Sequence, residues 1–162
     1  EQLRKAGVDE VIVVLGYRAD DIHRKMHDAR CRVMLNPRFF AGRAGSLRIG
    51  AKAVSRDADA IVIVNVDQPR TAEFFRGLIE AHQAGAAGTR PTHGGRHGHP
   101  VIVAGNLRTE LMEASDESGG LKGVLEAHQG ELADWPASAE CELDLNTPDE
   151  YDDARRAAQS RV

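Results

Sequence analysis

Two short segments of this chain carry the residue types that hold divalent cations and phosphates. The first is Asp67-Gln68-Pro69, which closes the run Ile61-Val62-Ile63-Val64-Asn65-Val66. Five branched apolar residues in near-unbroken succession predict a central strand buried on both faces of a parallel sheet. Pro69 has no backbone N–H and fixes its own φ, so the strand stops before it and Asp67 falls at its carboxyl end. In open α/β sheets that rim is where ligands bind. The second segment, Asp144-Leu145-Asn146-Thr147-Pro148-Asp149, repeats the arrangement, with oxygen-bearing side chains followed by Thr-Pro and a helix start. Each segment alone also suits plainer work: Asp67 as a turn former, Asn146 or Thr147 as a helix cap with Pro148 in the first turn. Two such ends meeting in one sheet suit a single Mg²⁺. That ion takes one or two carboxylates or other hard oxygens and leaves the rest of its shell to water and substrate phosphates. Asp67 with Asp144 or Asn146 meets that need.

Three further segments have chemical character but less specificity. Ser118-Gly119-Gly120-Leu121-Lys122 puts glycines at the mouth of a helix and a lysine in its first turn, where free N–H groups suit a phosphate. An ordinary helix–helix turn has the same composition. Gly42 to Arg48 is similar: a glycine loop, Ser46 as the expected N-cap, and two arginines. His93, His97 and His99 lie on a Gly-rich stretch without a cysteine or acid at zinc-ligand spacing, so a substrate-contacting, locally basic loop is the better reading. The chain has no Ser-His-Asp or Cys-His set and no P-loop.

These segments need a scaffold, and the apolar pattern supplies one. Glu1 to Gly7 reads as the end of a helix capped by glycine, Val11 to Leu15 as a buried strand, and Ala19 to Ala29 as a helix. Arg32 to Leu35 is a short strand, and a helix led by Ser46 carries Leu47, Ile49, Ala51 and Val54. After the Asp67 strand comes a helix from Thr71 with Phe74, Phe75, Leu78, Ile79 and His82 on its inner side. This alternation implies right-handed crossovers and a parallel sheet. Downstream, residues 84–98 read as a flexible loop with a short strand near Ala86–Arg90, and His99 to Ala104 as a strand. Helices are expected over Asn106–Ser115, Leu121–His128 and Pro148–Ala158, with a half-exposed strand over Glu140–Leu145.

At 162 residues, with 41% hydrophobic and 28% charged residues, the chain is expected to be one domain with an aliphatic core. A net charge of −4 and the lack of basic runs argue against nucleic acid or an anionic membrane as partner. No apolar run approaches transmembrane length. Cys31 and Cys141 are isolated and expected to be reduced thiols, which points to the cytoplasm.

Taken in order, the VIVVLG strand, Asn36-Pro37, Gly45-Ser46-Leu47-Arg48-x-Gly50, Asp67-Gln68-Pro69, Gly98-His99-Pro100, Gly119-Gly120-Leu121-Lys122 and Asp144-x-Asn146-Thr147-Pro148-Asp149 resemble a known family. It is the MobA-like NTP transferases, and within them the molybdopterin cytidylyltransferase branch. The resemblance spans nearly all of residues 1–162 as one domain. It implies a three-layer α/β/α, Rossmann-like fold of glycosyltransferase-A-like nucleotidyltransferase type, with a mostly parallel sheet. It also implies a reaction: the terminal phosphate of molybdopterin attacks the α-phosphorus of CTP or GTP, and pyrophosphate leaves. By residue, the resemblance makes Asp67 the principal Mg²⁺ ligand and Asn146, with Asp144, the second. Gln68 and Pro69 would shape the rim. His99, Gly119, Gly120 and Lys122 would face the pterin, and Ser46 and Arg48 the nucleotide.

The family's first strand and its Leu-Ala-Ala-Gly-x-Ser-x-Arg-Met-Gly loop have no counterpart here, so upstream residues are expected to precede Glu1. Asn146 stands where the cytidylyl branch carries Asp and the guanylyl branch Asn. Two other functions fit the pattern. One is transfer to another phosphorylated acceptor such as a sugar phosphate. The other is a non-catalytic protein that binds molybdenum cofactor and delivers it to an oxidoreductase such as a molybdenum hydroxylase.

Overall fold

The computed structural model describes residues 1–26 and 29–159, with side chains to residue 156. The first half follows the expected alternation: α1 (Gln2–Lys5), β1 (Ile12–Leu15), α2 (Ala19–Lys25), β2 (Arg32–Leu35), α3 (Arg43–Ala53), β3 (Ala60–Ile63) and α4 (Ala72–Ala81). Then come β4 (Gly88–His93), β5 (Arg96–His97), β6 (Val101–Ala104), α5 (Arg108–Glu113), α6 (Gly120–Ala127), β7 (Leu132–Pro136) and α7 (Pro148–Gln159). Residues 27 and 28, inside the helix expected to reach Ala29, lie outside the described residues, and Ala29 itself is not helical.

The strands form a parallel pair, β1–β2, and a five-stranded sheet in the order β3-β6-β4-β5, with β7 on β4. Helices cover two faces. Ile61 points to a cluster with Ala51, Val103, Leu111 and Val124, contributed largely by α3, α5 and α6. Its neighbour Val62 packs with Ala6, Ala72 and Phe75 from α1 and α4. That alternation on one strand produces the three-layer α/β architecture.

The sheet is less parallel than its pattern predicts. β4–β7 is parallel, but β3–β6, β6–β4 and β4–β5 are antiparallel. The cause is local. Gly94 and Gly95, with φ of +55° and +79°, turn β4 back on β5 as a two-residue hairpin. Only three residues separate β5 from β6, and β6 continues the returning arm of this hairpin in the same direction as β5, antiparallel to β4. The flexible loop expected over 84–98 is therefore largely ordered strand.

Three other expectations are corrected. The Asp67 strand stops at Ile63, and Val66, at 103% relative exposure, faces solvent rather than a core. Glu140–Leu145 is not a strand: Ala139–Glu142 is a 3-10 turn, and the missed strand is β7, whose LADWP sequence lacks alternation. Ser46 lies inside α3, whose N-cap is Gly42.

Candidate functional site

Strand direction decides what meets at the rim. β3 ends at Ile63, paired with Val101 at the start of the antiparallel β6. The turn before β6, carrying His99 and a cis His99–Pro100 bond, is thereby brought beside the Asp67 loop. β4 runs the same way as β3, and β7 is parallel to β4, so β7 delivers residues 137–147 to the same end. The two acid-bearing segments then touch: the Leu145 N–H donates to the Asp67 carbonyl at 2.8 Å. The His99 N–H donates to the Cys141 carbonyl at 2.9 Å, which closes the third side. A cleft of about 350 Å³ opens here, lined by Arg96, His97, His99, Glu142 and Asp144.

Asp67 and Asp144 are exposed, and neither carboxylate accepts a hydrogen bond from another described residue. They are free oxygen donors on adjoining segments, a set that suits Mg²⁺ with water and phosphate completing its shell. Among the described residues no group of three or more His, Cys, Asp or Glu side chains is placed to hold a metal ion, so a cation here would take further ligands from a substrate. Asn146 opens the turn into α7. Its N–H and that of Thr147 donate to Glu150 at 2.7 and 2.9 Å, and Glu150 stays ionised to lower pH through those bonds. Gln68, only 5% exposed, has an Oε1 with no hydrogen-bond partner.

His99 is held below the ordinary imidazole pKa, first by burial, with Arg70 and Arg43 adding to the effect and Asp144 and Asp67 opposing it. It is therefore a neutral ring facing the acids. The locally basic character expected of the hairpin is mostly neutralised. Arg90 pairs with Asp134 at 2.7 Å, His97 reaches Asp134 at 3.4 Å, and Arg96 pairs with Glu142 at 2.9 Å. His93 lies 3.2 Å from the Ala137 carbonyl.

The other expected site residues gather at a second corner, where α3 begins. Asp116 Oδ1 accepts from the Arg43 and Ala44 N–H groups at 3.1 and 3.2 Å, occupying the α3 N-terminus. The Ser46 hydroxyl accepts from Asn36 Nδ2 at 3.0 Å, and Arg48 donates to the Ala114 carbonyl at 3.1 Å. Gly119 and Gly120 donate to the Asp116 and Ser115 carbonyls at 3.2 and 2.7 Å. Lys122 is exposed and lies 3.5 Å from Glu126.

The residue that sequence reasoning missed is Arg70, 4% exposed, whose guanidinium bonds to the carbonyls of Pro69, His99, Cys141 and Leu143. Its position directly after Asp67-Gln68-Pro69 was the available signal.

Residues 1–132 match the MobA-like NTP transferase domain. The chain belongs to that family. Its coarse chemistry is therefore nucleotidyl transfer from a nucleoside triphosphate. A nucleotidyl transferase from Methanothermobacter thermautotroptrophicus superposes with a TM-score of 0.80 at 23% identity, over 99% of this chain and 78% of that one. Rv0371c from Mycobacterium tuberculosis, in a complex with manganese, superposes with a TM-score of 0.74 at 26% identity, over 94% and 81%. The molybdopterin-guanine dinucleotide biosynthesis protein A of Archaeoglobus fulgidus gives 0.57 at 17% identity, over 91% and 78%. No curated protein sequence matches the chain. No described helix is long and apolar enough to cross a membrane.

Proposed function

We propose that this MobA-like domain transfers CMP from CTP to the terminal phosphate of molybdopterin, at the rim where the Asp67 and Asp144 segments meet. The observation that carries this reading is the Leu145–Asp67 backbone bond of 2.8 Å, which sets two unpaired carboxylates on adjoining loops. Mg²⁺, held by Asp67 and Asp144 with Asn146 beside them, would neutralise phosphate charge there. An oxygen of the acceptor phosphate forms the new bond to the α-phosphorus, the bond from that phosphorus to the β-phosphate bridge breaks, and pyrophosphate carries the charge away. The protein supplies position and electrostatics, and no covalent nucleophile is required. Neutral His99 can donate one N–H to a phosphate or pterin oxygen without adding a competing charge. The A. fulgidus likeness and the motif order support molybdopterin as the acceptor class.

Thermal unfolding with Mg²⁺ and CTP, GTP or ATP tests this reading. A ligand confined to the folded state adds about 2.7 kcal/mol at a hundredfold excess over Kd. A Mg²⁺-dependent rise with CTP alone is the expected result. A rise with GTP alone overturns the base assignment, and no rise with any nucleotide overturns nucleotide binding by this chain.

A further inference from the structure

Residues 137–147 cross the rim without strand pairing, yet they carry Asp144. Something other than a sheet must fix them. Glu140 accepts from the Thr71 N–H at 2.7 Å, backbone bonds tie Ala137 to Thr92, Cys141 to His99 and Leu145 to Asp67, and Arg96 pairs with Glu142, but the one side chain that bonds several points of the segment is Arg70. Its Nη1 donates to the Leu143 carbonyl at 2.8 Å and to Pro69 at 2.9 Å. Nη2 reaches Cys141 at 3.1 Å, and Nε reaches His99 at 3.1 Å. The guanidinium also lies 5.8 Å from the centre of the Phe74 ring. Asp144 is thus bracketed: the residue before it is tied to Arg70, and the residue after it to the Asp67 backbone.

The geometry points to Arg70 as the positioning residue of the metal rim, holding the Asp67, His99 and Asp144 segments in one register. This rests on the nucleotidyl-transfer reading of that rim and names a residue the family pattern did not supply. Arg70 suits the task because a planar fork of five N–H donors can serve four carbonyls at fixed angles, whereas a lysine has three donors on one point. Its hydrogen bonds are all to carbonyls, and burying a cation without a bonded carboxylate is costly. Glu140 and Asp144 supply the opposite charge through space. A clasp needed only for the core would be better served by a neutral side chain.

The test is Mn²⁺ binding to the unaltered chain and to its Arg70→Lys, Arg70→Gln, Asp67→Ala and Asp116→Ala variants. Binding is followed by electron paramagnetic resonance under conditions where circular dichroism shows each folded. Both Arg70 variants are expected to bind Mn²⁺ about tenfold or more weakly, the usual size of an outer-shell loss. Amide exchange is expected to quicken within residues 139–147. Guanidinium ion should partly restore Mn²⁺ binding to Arg70→Gln, with sodium at equal ionic strength failing to do so. Asp116→Ala, destabilised at a different corner, should keep its Mn²⁺ affinity. Mn²⁺ affinity within about twofold of the unaltered chain in either folded Arg70 variant overturns the inference alone, provided Asp67→Ala has lost binding. Should neither Arg70 variant fold, Phe74→Leu, which removes the ring beside the guanidinium, is read instead: Mn²⁺ binding weakened with faster amide exchange in residues 139–147 is expected, and unchanged affinity and exchange overturn the inference. No Mn²⁺ binding by the unaltered chain, or full binding in Asp67→Ala, overturns the metal-site reading and the inference with it.

Discussion

At the rim, Asp67 and Asp144 leave their carboxylates in solvent, and the loops beneath them are tied by backbone bonds and Arg70. At the start of α3, by contrast, Asp116 turns its carboxylate inward onto the Arg43 and Ala44 N–H groups. Ser46 and Arg48 are likewise engaged with Asn36 and the Ala114 carbonyl. In sequence both corners offer polar or charged side chains beside a helix start, acids at the rim and glycines with a serine and arginines at α3. They differ in whether the fold has already used the polar groups. A group available to a ligand is one whose hydrogen-bonding capacity the tertiary structure has left unfilled.

The largest expected effect would break that contrast at the rim. Asp67→Ala should lower metal-dependent nucleotidyl transfer by on the order of 100- to 1000-fold, the scale of losing one preorganised electrostatic group. Its thermal midpoint should hardly move, because the Asp67 side chain has no partner among the described residues. A steady-state assay beside a melting curve checks both. Unchanged turnover would show that Asp67 is only a turn former.

At the other corner the sign reverses, with stability lost and chemistry kept. Gly42 has φ of +123°, and a Cβ there would overlap the Asp116 carboxylate, so Gly42→Ala should cost about 1–3 kcal/mol by urea titration. Asp116→Ala removes the cap and should cost about 0.5–2 kcal/mol. If either variant instead lost metal-dependent binding without losing stability, the α3 corner would belong to the site.

The smallest effect concerns pH. Burial holds His99 and His82 below the ordinary imidazole value, and His82 also meets the Thr89 hydroxyl at 2.8 Å. At these two positions the unfolded chain therefore binds more protons than the native one below about pH 6.5, whereas His128, raised by its bond to Glu110, acts in the opposite sense. Stability from these two residues is complete above that pH and declines as pH falls toward their lower native values. Between about pH 7.5 and 5.5 the urea midpoint of the unaltered chain should drop relative to that of His82→Gln, with the rim intact in both. A slope unaltered in both His82→Gln and His99→Gln would assign it to other groups.

Much of the first half was legible because long-range order there follows local pattern. The apolar runs at Ile12–Leu15 and Ala60–Ile63 do form strands and the helix from Thr71 does turn Phe74, Phe75 and Leu78 inward, although β3 stands at the end of its sheet rather than at its centre and only Ile61 of it is buried. Thr71 caps that helix by accepting from the Phe74 N–H at 3.2 Å, as its type suggests. The second half was harder. β7 is a strand because β4 pairs with it, not because LADWP alternates. Glu140–Leu145 does alternate, yet it makes no strand ladder among the described residues, and Ala139–Glu142 folds as a 3-10 turn.

Residue types alone determined that the first half of this chain would alternate helix and strand, that no strand would run through Pro69, and that acids would stand at loop ends. Those outcomes depend on neighbours a few positions away, through dihedral limits and side-chain period. Only the tertiary structure decided that β6 returns antiparallel, that Asp67 and Asp144 adjoin, and that Asp116 rather than a ligand fills the α3 mouth. The physical reason is that a hydrogen bond across about seventy residues has no local signature. Its donors and acceptors are common to many positions, and only the folded chain selects which of them meet.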